Sequence, residues 1–172
     1  PSNAGYQFGA GDFTVEAWVY NNGMATSGTY FGVWTGTAST SSWVVTAGTA
    51  DNTKLRFGSS NGTAMAYVES TTGAVPVGKW THIAVVRTAT YLSLFSNGIC
   101  VSYTSLSTTL ASPSTVLSIG AANAGSFGAM SVSNLRVVKG YANYINTQTA
   151  GTPVFTPQTT PDRKSTRLNS SH

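Results

Sequence analysis

Short runs of alternating side chains, separated by turn residues, recur along the chain and restrict what it can fold into. Residues 13–20 read FTVEAWVY, so phenylalanine, valine and alanine hold the odd positions while Glu16, Trp18 and Tyr20 hold the even ones. Successive side chains of a strand point to opposite faces of a sheet, so this run carries apolar bulk on both faces. The pattern predicts a central β-strand, with Trp18, like Trp80 further on, packed in the core.

Nine further runs of this kind follow, and no helical period extends over ten residues. The ten predicted strands span residues 13–20, 30–35, 43–47, 54–57, 65–69, 80–87, 91–95, 99–103, 116–119 and 130–138. Asn97-Gly98 supplies the positive φ angles that a tight hairpin turn requires, and residues 58–62 are predicted as another turn. Many short strands with turns between them predict an all-β fold, an antiparallel two-sheet β-sandwich of the jelly-roll kind.

The chain carries hydroxyl groups where most proteins carry charge. Charged residues make up 8% of the 172 residues, against a typical value of ~25%, while serine and threonine together number 48. The length predicts one domain whose surface meets other surfaces without strong electrostatics. The single cysteine, Cys100, has no partner for an internal disulfide and is predicted to be a buried strand residue.

The basic residues are concentrated at the end of the chain. Residues 162–172, DRKSTRLNSSH, hold three of the nine lysines and arginines and resemble the translation of a widely used sequencing adapter. We predict a single domain at 1–161, truncated at its N-terminus because the chain starts at Pro1 without methionine, followed by a disordered artefactual tail at 162–172. Six basic and four acidic residues remain without the tail, a net charge of +2, and they form no basic stripe for a nucleic acid. No apolar run approaches the ~20 residues that span a bilayer, so membrane insertion is not predicted.

The titratable residues do not form a recognisable catalytic set. A glycosidase needs two carboxylates about 5 to 10 Å apart, whereas Asp12, Glu16, Asp51 and Glu69 are scattered, and no predicted strand carries two of them. His82 is the only histidine outside the tail, and no G-x-S-x-G elbow accompanies it. One cysteine and one histidine cannot complete a zinc site. We therefore predict no catalytic residue and no enzyme activity.

Aromatic residues beside loops are the candidate ligand-binding residues. Sugars present apolar C–H faces, which stack on rings, and hydroxyl groups, which bond to Asn, Ser, Thr and Arg. The candidates are Tyr30, Trp34, Trp43, Tyr67, Tyr141 and Tyr144. Trp34 and Trp43 flank residues 35–42, where six of eight residues are Ser or Thr, and Tyr141 and Tyr144 are placed to line the same end. The alternative for each ring is a place in the core, where strand tryptophans and tyrosines are common.

Several of these motifs, taken in order, resemble a known family. Residues 13–19, 80–87, 92–98 and 117–120 are similar to the laminin-G-like domains of the concanavalin A-like lectin/glucanase superfamily. Residues 131–140, 141–144 and 155–157 resemble the end of such domains in bacteriophage and bacterial surface proteins. The resemblance covers residues 5–161 and departs from the family at the start of the chain and in an insertion at 146–151.

The resemblance implies two stacked antiparallel sheets and a binding function. Members bind glycans or proteins, and some relatives hydrolyse polysaccharides. We expect a non-catalytic recognition or adhesion module that binds a glycan or a neighbouring subunit, located in a virion or at an extracellular or cell surface, with a homo-oligomer as an open possibility. The alternatives are a purely structural virion or surface module that binds no sugar, and a degenerate glycoside hydrolase relative.

Calcium is an open alternative that the resemblance raises. Some laminin-G-like relatives hold one ion at the rim of the sandwich, and calcium takes six to eight oxygen ligands. Asp51 and Asn52 in one loop, with Asp12, are the weak candidates. Because no acid-rich loop is present, no cofactor is predicted.

Overall fold

The computed structural model describes residues 4–122, 127–145 and 149–158. The strands of this part of the chain are β1 (Phe13–Asn21), β2 (Thr29–Val33), β3 (Trp43–Ala47), β4 (Leu55–Ser60), β5 (Met65–Glu69), β6 (Trp80–Arg87), β7 (Tyr91–Ser96), β8 (Ile99–Ser105), β9 (Ser118–Ile119) and β10 (Met130–Lys139). Two 3₁₀ turns, Ala4–Tyr6 and Ala38–Thr40, are its helical elements. Neither they nor any other described segment provides a helix long and apolar enough to cross a membrane. The predicted tail at 162–172 lies outside the described residues.

The strands pair into two antiparallel sheets of five strands each. In sheet A the order is β10-β1-β6-β7-β8, and in sheet B it is β5-β4-β3-β2-β9. Strand β1 lies between β10 and β6, which confirms the central position that its two apolar faces predicted. The predicted all-β fold, a two-sheet antiparallel sandwich, is confirmed.

The main core lies between the sheets. Phe13, Val15, Ala17 and Val19 of β1 point into it, and none is more than 1% exposed. The ring of Phe13 lies 6.0 Å from that of Phe57 on sheet B, so the two sheets are in direct contact. Burial of each large apolar side chain stabilises the fold by about 1.5–3 kcal/mol.

A second, smaller apolar cluster covers the outer face of sheet A. It is formed with residues 141–145 and 149–158, which we call the strap. The cluster contains Ala84, Val86, Phe95, Cys100, Ala142, Tyr144, Val154 and Phe155. The Gly151 amide donates a hydrogen bond to the Cys100 carbonyl at 2.8 Å, and the Cys100 amide donates to the Thr152 carbonyl at 3.0 Å. Cys100 is fully buried, as predicted.

Two tryptophans predicted to lie in the core are outside it. Trp18 and Trp80 are on the outer face of sheet A, where Trp80 is 48% exposed and Trp18 is partly buried. Because both faces of β1 are apolar, alternation alone does not show which face turns inward. The face of β1 that carries phenylalanine and valine packs in the interior, and the face that carries Glu16 and Trp18 points outward.

The turn predictions had different outcomes. Asn97 and Gly98 have φ values of 48° and 81°, which confirms the predicted left-handed turn between β7 and β8. The turn predicted at residues 58–62 begins later than expected. Ser59 and Ser60 continue β4, because they pair with Ala66 and Met65 of β5.

The contact between Gly98 and the strap predicts a measurable loss of stability. A Cβ at Gly98 would overlap the Phe155 carbonyl, whereas a Cβ at Gly73, with nearly the same φ (82° against 81°), has no atom within 4 Å. We expect Gly73→Ala to lower the free energy of unfolding by about 1–2 kcal/mol, the cost of a left-handed alanine. Gly98→Ala should cost about 1–3 kcal/mol more because the strap must move. Urea denaturation of both variants tests this, and equal losses would show that the strap does not press on the turn.

Candidate functional site

A cavity of about 370 Å³ opens on the outer face of sheet A beside the strap. We call it the strap cavity. It is lined by Glu16, Trp18, His82, Asn134, Leu135, Arg136, Tyr144 and Gln158. These residues come from β1, β6, β10 and the strap, so the cavity exists only where all four segments meet.

The register of sheet A places the lining side chains in rows across three strands. Glu16 pairs with Arg136 on β10, and Trp18 pairs with Ser133 on β10 and with His82 on β6. Residues directly opposite each other in adjacent strands project from the same face. The even-numbered side chains of β1 therefore meet the outward side chains of both neighbouring strands.

A β-bulge in β10 shapes one wall of the cavity. The pairing of β1 with β10 shifts between Glu16 and Trp18, so residues 134 and 135 together oppose Ala17. Asn134 adopts a φ of 54°, the left-handed region that asparagine tolerates better than most residues. Bulges of this kind redirect side chains and are common beside binding sites. Here the bulge brings Asn134 and Arg136 to the same cavity.

The cavity floor contains a buried carboxylate with cationic and polar partners. Glu16 is 5% exposed and forms an ion pair with the guanidinium of Arg136 through Nε and Nη2. His82 Nε2 lies 3.5 Å from Glu16 Oε2, and Arg136 Nη2 donates to the Tyr144 hydroxyl at 3.4 Å. The carboxylate thus joins β1 to β6, to β10 and to the strap.

These contacts change the pKa of the carboxyl and phenol groups in opposite directions. Burial raises the pKa of Glu16, but hydrogen bonds from His82 and Tyr144 and the charge of Arg136 outweigh burial, so the pKa is lowered overall. Burial, followed by the hydrogen bond to Glu16, raises the pKa of Tyr144 to about 12. At neutral pH the site therefore holds a carboxylate and a protonated phenol.

The polar groups that the structure describes in the cavity are placed to contact a ligand. Glu16 is the single carboxylate among the described lining residues, and hydrolysis of a glycosidic bond requires two. His82 is 6% exposed, and its Nδ1 has no hydrogen-bond partner among the described residues. Asn134 and Arg136 are exposed at the rim, where their amide and guanidinium groups can meet a ligand.

The prediction that Tyr30 and Trp43 line a binding surface is wrong. Both side chains are 0% exposed in the main core. The indole of Trp43 donates to the Tyr6 carbonyl at 2.8 Å, and burial raises the pKa of Tyr30 above its usual value. A ring enclosed on all sides cannot stack on a ligand. Trp43 faces inward because it is on the core side of β3, although it follows a hydroxyl-rich loop.

Trp34 and Tyr67 are brought together, on the opposite side of the molecule from the strap cavity. Their rings lie 6.0 Å apart on the outer face of sheet B, and the guanidinium of Arg56 lies 3.8 Å from the centre of the Tyr67 ring. They line a groove of about 120 Å³ that also contains Ser27 and Thr46. We call it the sheet B groove. Trp34 is only 8% exposed, whereas Tyr67 is 48% exposed.

The remaining two predicted aromatics lie on the strap. Tyr144 lines the strap cavity, and Tyr141 is 65% exposed where its carbonyl accepts a hydrogen bond from Thr14 Oγ1 at 3.1 Å. The strap packs on the outer face of sheet A and Trp34 lies on the outer face of sheet B, so these rings are on opposite faces of the sandwich and do not line one surface.

The calcium candidates do not form a cluster. Asp51 Oδ1 accepts hydrogen bonds from the amide and the hydroxyl of Thr53, at 2.9 and 2.7 Å. Asn52 Nδ2 donates to the Met24 carbonyl at 2.6 Å, and the Asp12 carbonyl accepts from the Gly140 amide. Across residues 4–122, 127–145 and 149–158, no three His, Cys, Asp or Glu side chains lie close enough to hold a metal ion.

Sequence reasoning missed most of the strap cavity. The alternation of β1 predicts that Trp18 lies in the core, and the pattern of residues 130–138 does not mark Arg136 or Asn134 as ligand-binding residues. One signal was available, because Glu16, Trp18 and Tyr20 occupy the same face of one strand. An asparagine within the run of apolar and serine residues at 130–138 was a second signal, since it is compatible with a bulge.

The lowered pKa of Glu16 predicts a pH-dependent contribution to stability. The ionised carboxylate stabilises the fold fully above its unfolded-state pKa, near 4.5, and this contribution is lost as pH falls through the lower folded-state pKa. We expect Glu16→Gln to reduce the free energy of unfolding by about 1.5–3 kcal/mol at pH 7, the range for a hydrogen bond to a charged group.

Urea denaturation of the wild type and the variant between pH 7 and pH 3 checks this effect. The difference between them should shrink below about pH 4.5, because a protonated glutamic acid resembles glutamine. Glu69→Gln removes an ion pair with Arg56 at 3.6 Å on sheet B. It is the matched control for the loss of a paired carboxylate outside the strap cavity. A Glu16 difference that stays constant with pH would contradict the ionised state.

Solved structures with this fold include proteins that bind sugars. A candidate carbohydrate-binding protein from Bacteroides ovatus has a TM-score of 0.64 at 16% identity, over 80% of this chain and 39% of that chain. Domains LG4-5 of the mouse laminin α1 chain have a TM-score of 0.55 at 17% identity, over 77% and 36%. The CBM40 domain of the Ruminococcus gnavus IT-sialidase, bound to α2,3-sialyllactose, has a TM-score of 0.55 at 15% identity, over 71% and 75%. At these identities the likeness establishes the fold alone, and this chain spans 39% of the Bacteroides ovatus protein.

A comparison with curated protein sequences finds no match. A laminin G family model does match residues 2–143, which is most of the chain and includes every strand of both sheets. The chain therefore belongs to the laminin G group of the concanavalin A-like lectin/glucanases superfamily.

Proposed function

We propose that this chain is a non-catalytic carbohydrate-binding module and that it binds its glycan in the strap cavity. The observation that carries the proposal is the lining of the cavity, where the partly buried ring of Trp18 lies beside Asn134 and Arg136 and a single carboxylate is paired. Sugar sites combine an apolar ring with a few fixed polar groups. A lone, ion-paired Glu16 provides no partner for general acid–base hydrolysis.

Each part of the cavity has a separate role in this proposal. Trp18 packs against a C–H face of the sugar, and its indole nitrogen is held by the Gln158 carbonyl at 3.1 Å. The Asn134 amide and the Tyr144 hydroxyl bond to sugar hydroxyls. Arg136 and Glu16 hold the Tyr144 hydroxyl in place, because a paired guanidinium has a fixed orientation.

The comparisons support this class of function. The candidate carbohydrate-binding protein from Bacteroides ovatus and the sialyllactose-bound domain from Ruminococcus gnavus share the fold. We propose that the chain is part of an extracellular or surface protein. Its low content of charged residues, 8%, suits that setting. A bacteriophage structural protein, which the resemblance of residues 131–140 favours, is the narrower form of this proposal.

A pair of glycine substitutions distinguishes the strap cavity from the sheet B groove. Asn134 (φ 54°) and Ser27 (φ 60°) are left-handed residues on opposite sides of the sandwich. Glycine tolerates this conformation better than either residue, so both variants should fold. We expect Asn134→Gly to weaken binding about tenfold, equivalent to about 1.4 kcal/mol, and Ser27→Gly to leave it unchanged.

The measurement begins with a glycan array that includes plant, animal and bacterial surface sugars, followed by calorimetry with the strongest ligand. Loss of binding in Ser27→Gly alone would show that the glycan binds in the sheet B groove and not in the strap cavity. Absence of binding to any glycan on the array would favour the purely structural module. Sugar release that stops in Glu16→Gln would favour the degenerate hydrolase.

A further inference from the structure

The outer face of β1 continues beyond the strap cavity into a second row of side chains. Tyr20 follows Trp18 on the same face, and it pairs with Trp80 on β6 and with Ser131 on β10. The rings of Tyr20 and Trp80 are 5.6 Å apart and inclined at 63°. Trp80 is 48% exposed, so this row presents aromatic surface to solvent next to the cavity.

Both rows combine a serine of β10 with an aromatic ring of β1, and they differ on β6, where the first row has His82 and the second has Trp80. Trp18 lies beside Ser133, and Tyr20 lies beside Ser131. Each row thus offers a ring for a C–H face and a hydroxyl group for hydrogen bonding. Outward residues of a strand are separated by about 6.6–6.8 Å. A ligand that fills the first row and continues along β1 therefore reaches the second row.

The strap closes the opposite end of this face. The Asn143 amide donates to Thr14 Oγ1 at 2.9 Å, and the rings of Tyr144 and Phe155 are stacked at 3.5 Å. The described residues therefore cover the outer face of β1 at Thr14, whereas Trp80, beside Tyr20, is 48% exposed. Among the described residues, the side of the strap cavity toward Trp80 offers a ligand an accessible aromatic surface.

The charges along this face are balanced. Glu16 and Arg136 neutralise each other, His82 of the first row faces the Glu16 carboxylate at 3.5 Å, and Trp18, Tyr20, Trp80 and the two serines carry no charge. An anionic sugar would find no unpaired cation within the rows. An uncharged ligand is compatible with the whole face.

We infer that the site recognises the end of a linear, uncharged oligosaccharide, with one sugar in the strap cavity and the following sugar on Tyr20 and Trp80. This inference rests on the proposed function, because it extends the same site. It assigns Trp80 as a specificity-determining residue for ligand length. The bound chain end lies against the strap, and the rest of the ligand leaves across the start of β6.

Calorimetry with neutral oligosaccharides of increasing length tests the inference. The probes are cello-, xylo- and manno-oligosaccharides of one to five residues. We expect the Kd to fall about tenfold from one to two residues, as a second stacked ring adds to the first, and then to level off. Trp80→Ala should remove this gain and leave the monosaccharide affinity unchanged. Raising the salt from 0.05 to about 0.5 M should have little effect, because no ion pair is formed with the ligand.

Tyr103→Ala is the matched control, since Tyr103 is 41% exposed on β8, at the far edge of sheet A. It should bind all lengths as the wild type does. If Asn134→Gly abolishes binding but Trp80→Ala weakens no length, the proposed function stands and the second row is not a binding site. If charged glycans bind and salt releases them, the uncharged class is wrong. If no oligosaccharide and no glycan on the array binds, both proposals fall.

Discussion

The buried carboxylate of Glu16 is the interaction on which the outer face of sheet A depends. A carboxylate that is removed from water requires charged or hydrogen-bonding partners. Arg136, His82 and Tyr144 supply them from β10, β6 and the strap. One side chain of β1 therefore fixes the relative positions of three other segments. The strap cavity is the space left beside this group of contacts.

The strands and the tight turn could be predicted from the sequence because they are set by local rules. Alternation places side chains on the two sides of any strand, so the position of each strand in the chain was evident. Asn97 and Gly98 require left-handed backbone at a hairpin, and their φ values agree. Tyr67 and Tyr144 are two of the aromatic residues that the sequence places beside loops, and in the structure Tyr67 lines the sheet B groove and Tyr144 lines the strap cavity.

The side of each strand that faces the core could not be predicted, because it depends on which sheet covers it. Trp18 and Trp43 are both strand tryptophans, yet Trp43 is enclosed in the main core between the sheets, whereas Trp18 lies on the outer face against His82 and the strap. The bulge at Asn134 is also a property of a strand pair, since it arises from the register of β10 against β1. Predicting the cavity from sequence would have required this register.

The contact between Trp18 and Gln158 joins residues 140 positions apart in the chain. This contact cannot form before the chain has been synthesised as far as Gln158. During synthesis the ribosome releases β1 long before the strap. The two sheets can therefore associate while the cavity is still missing one wall, and the module acquires its complete pocket only when the strap has been made and has docked.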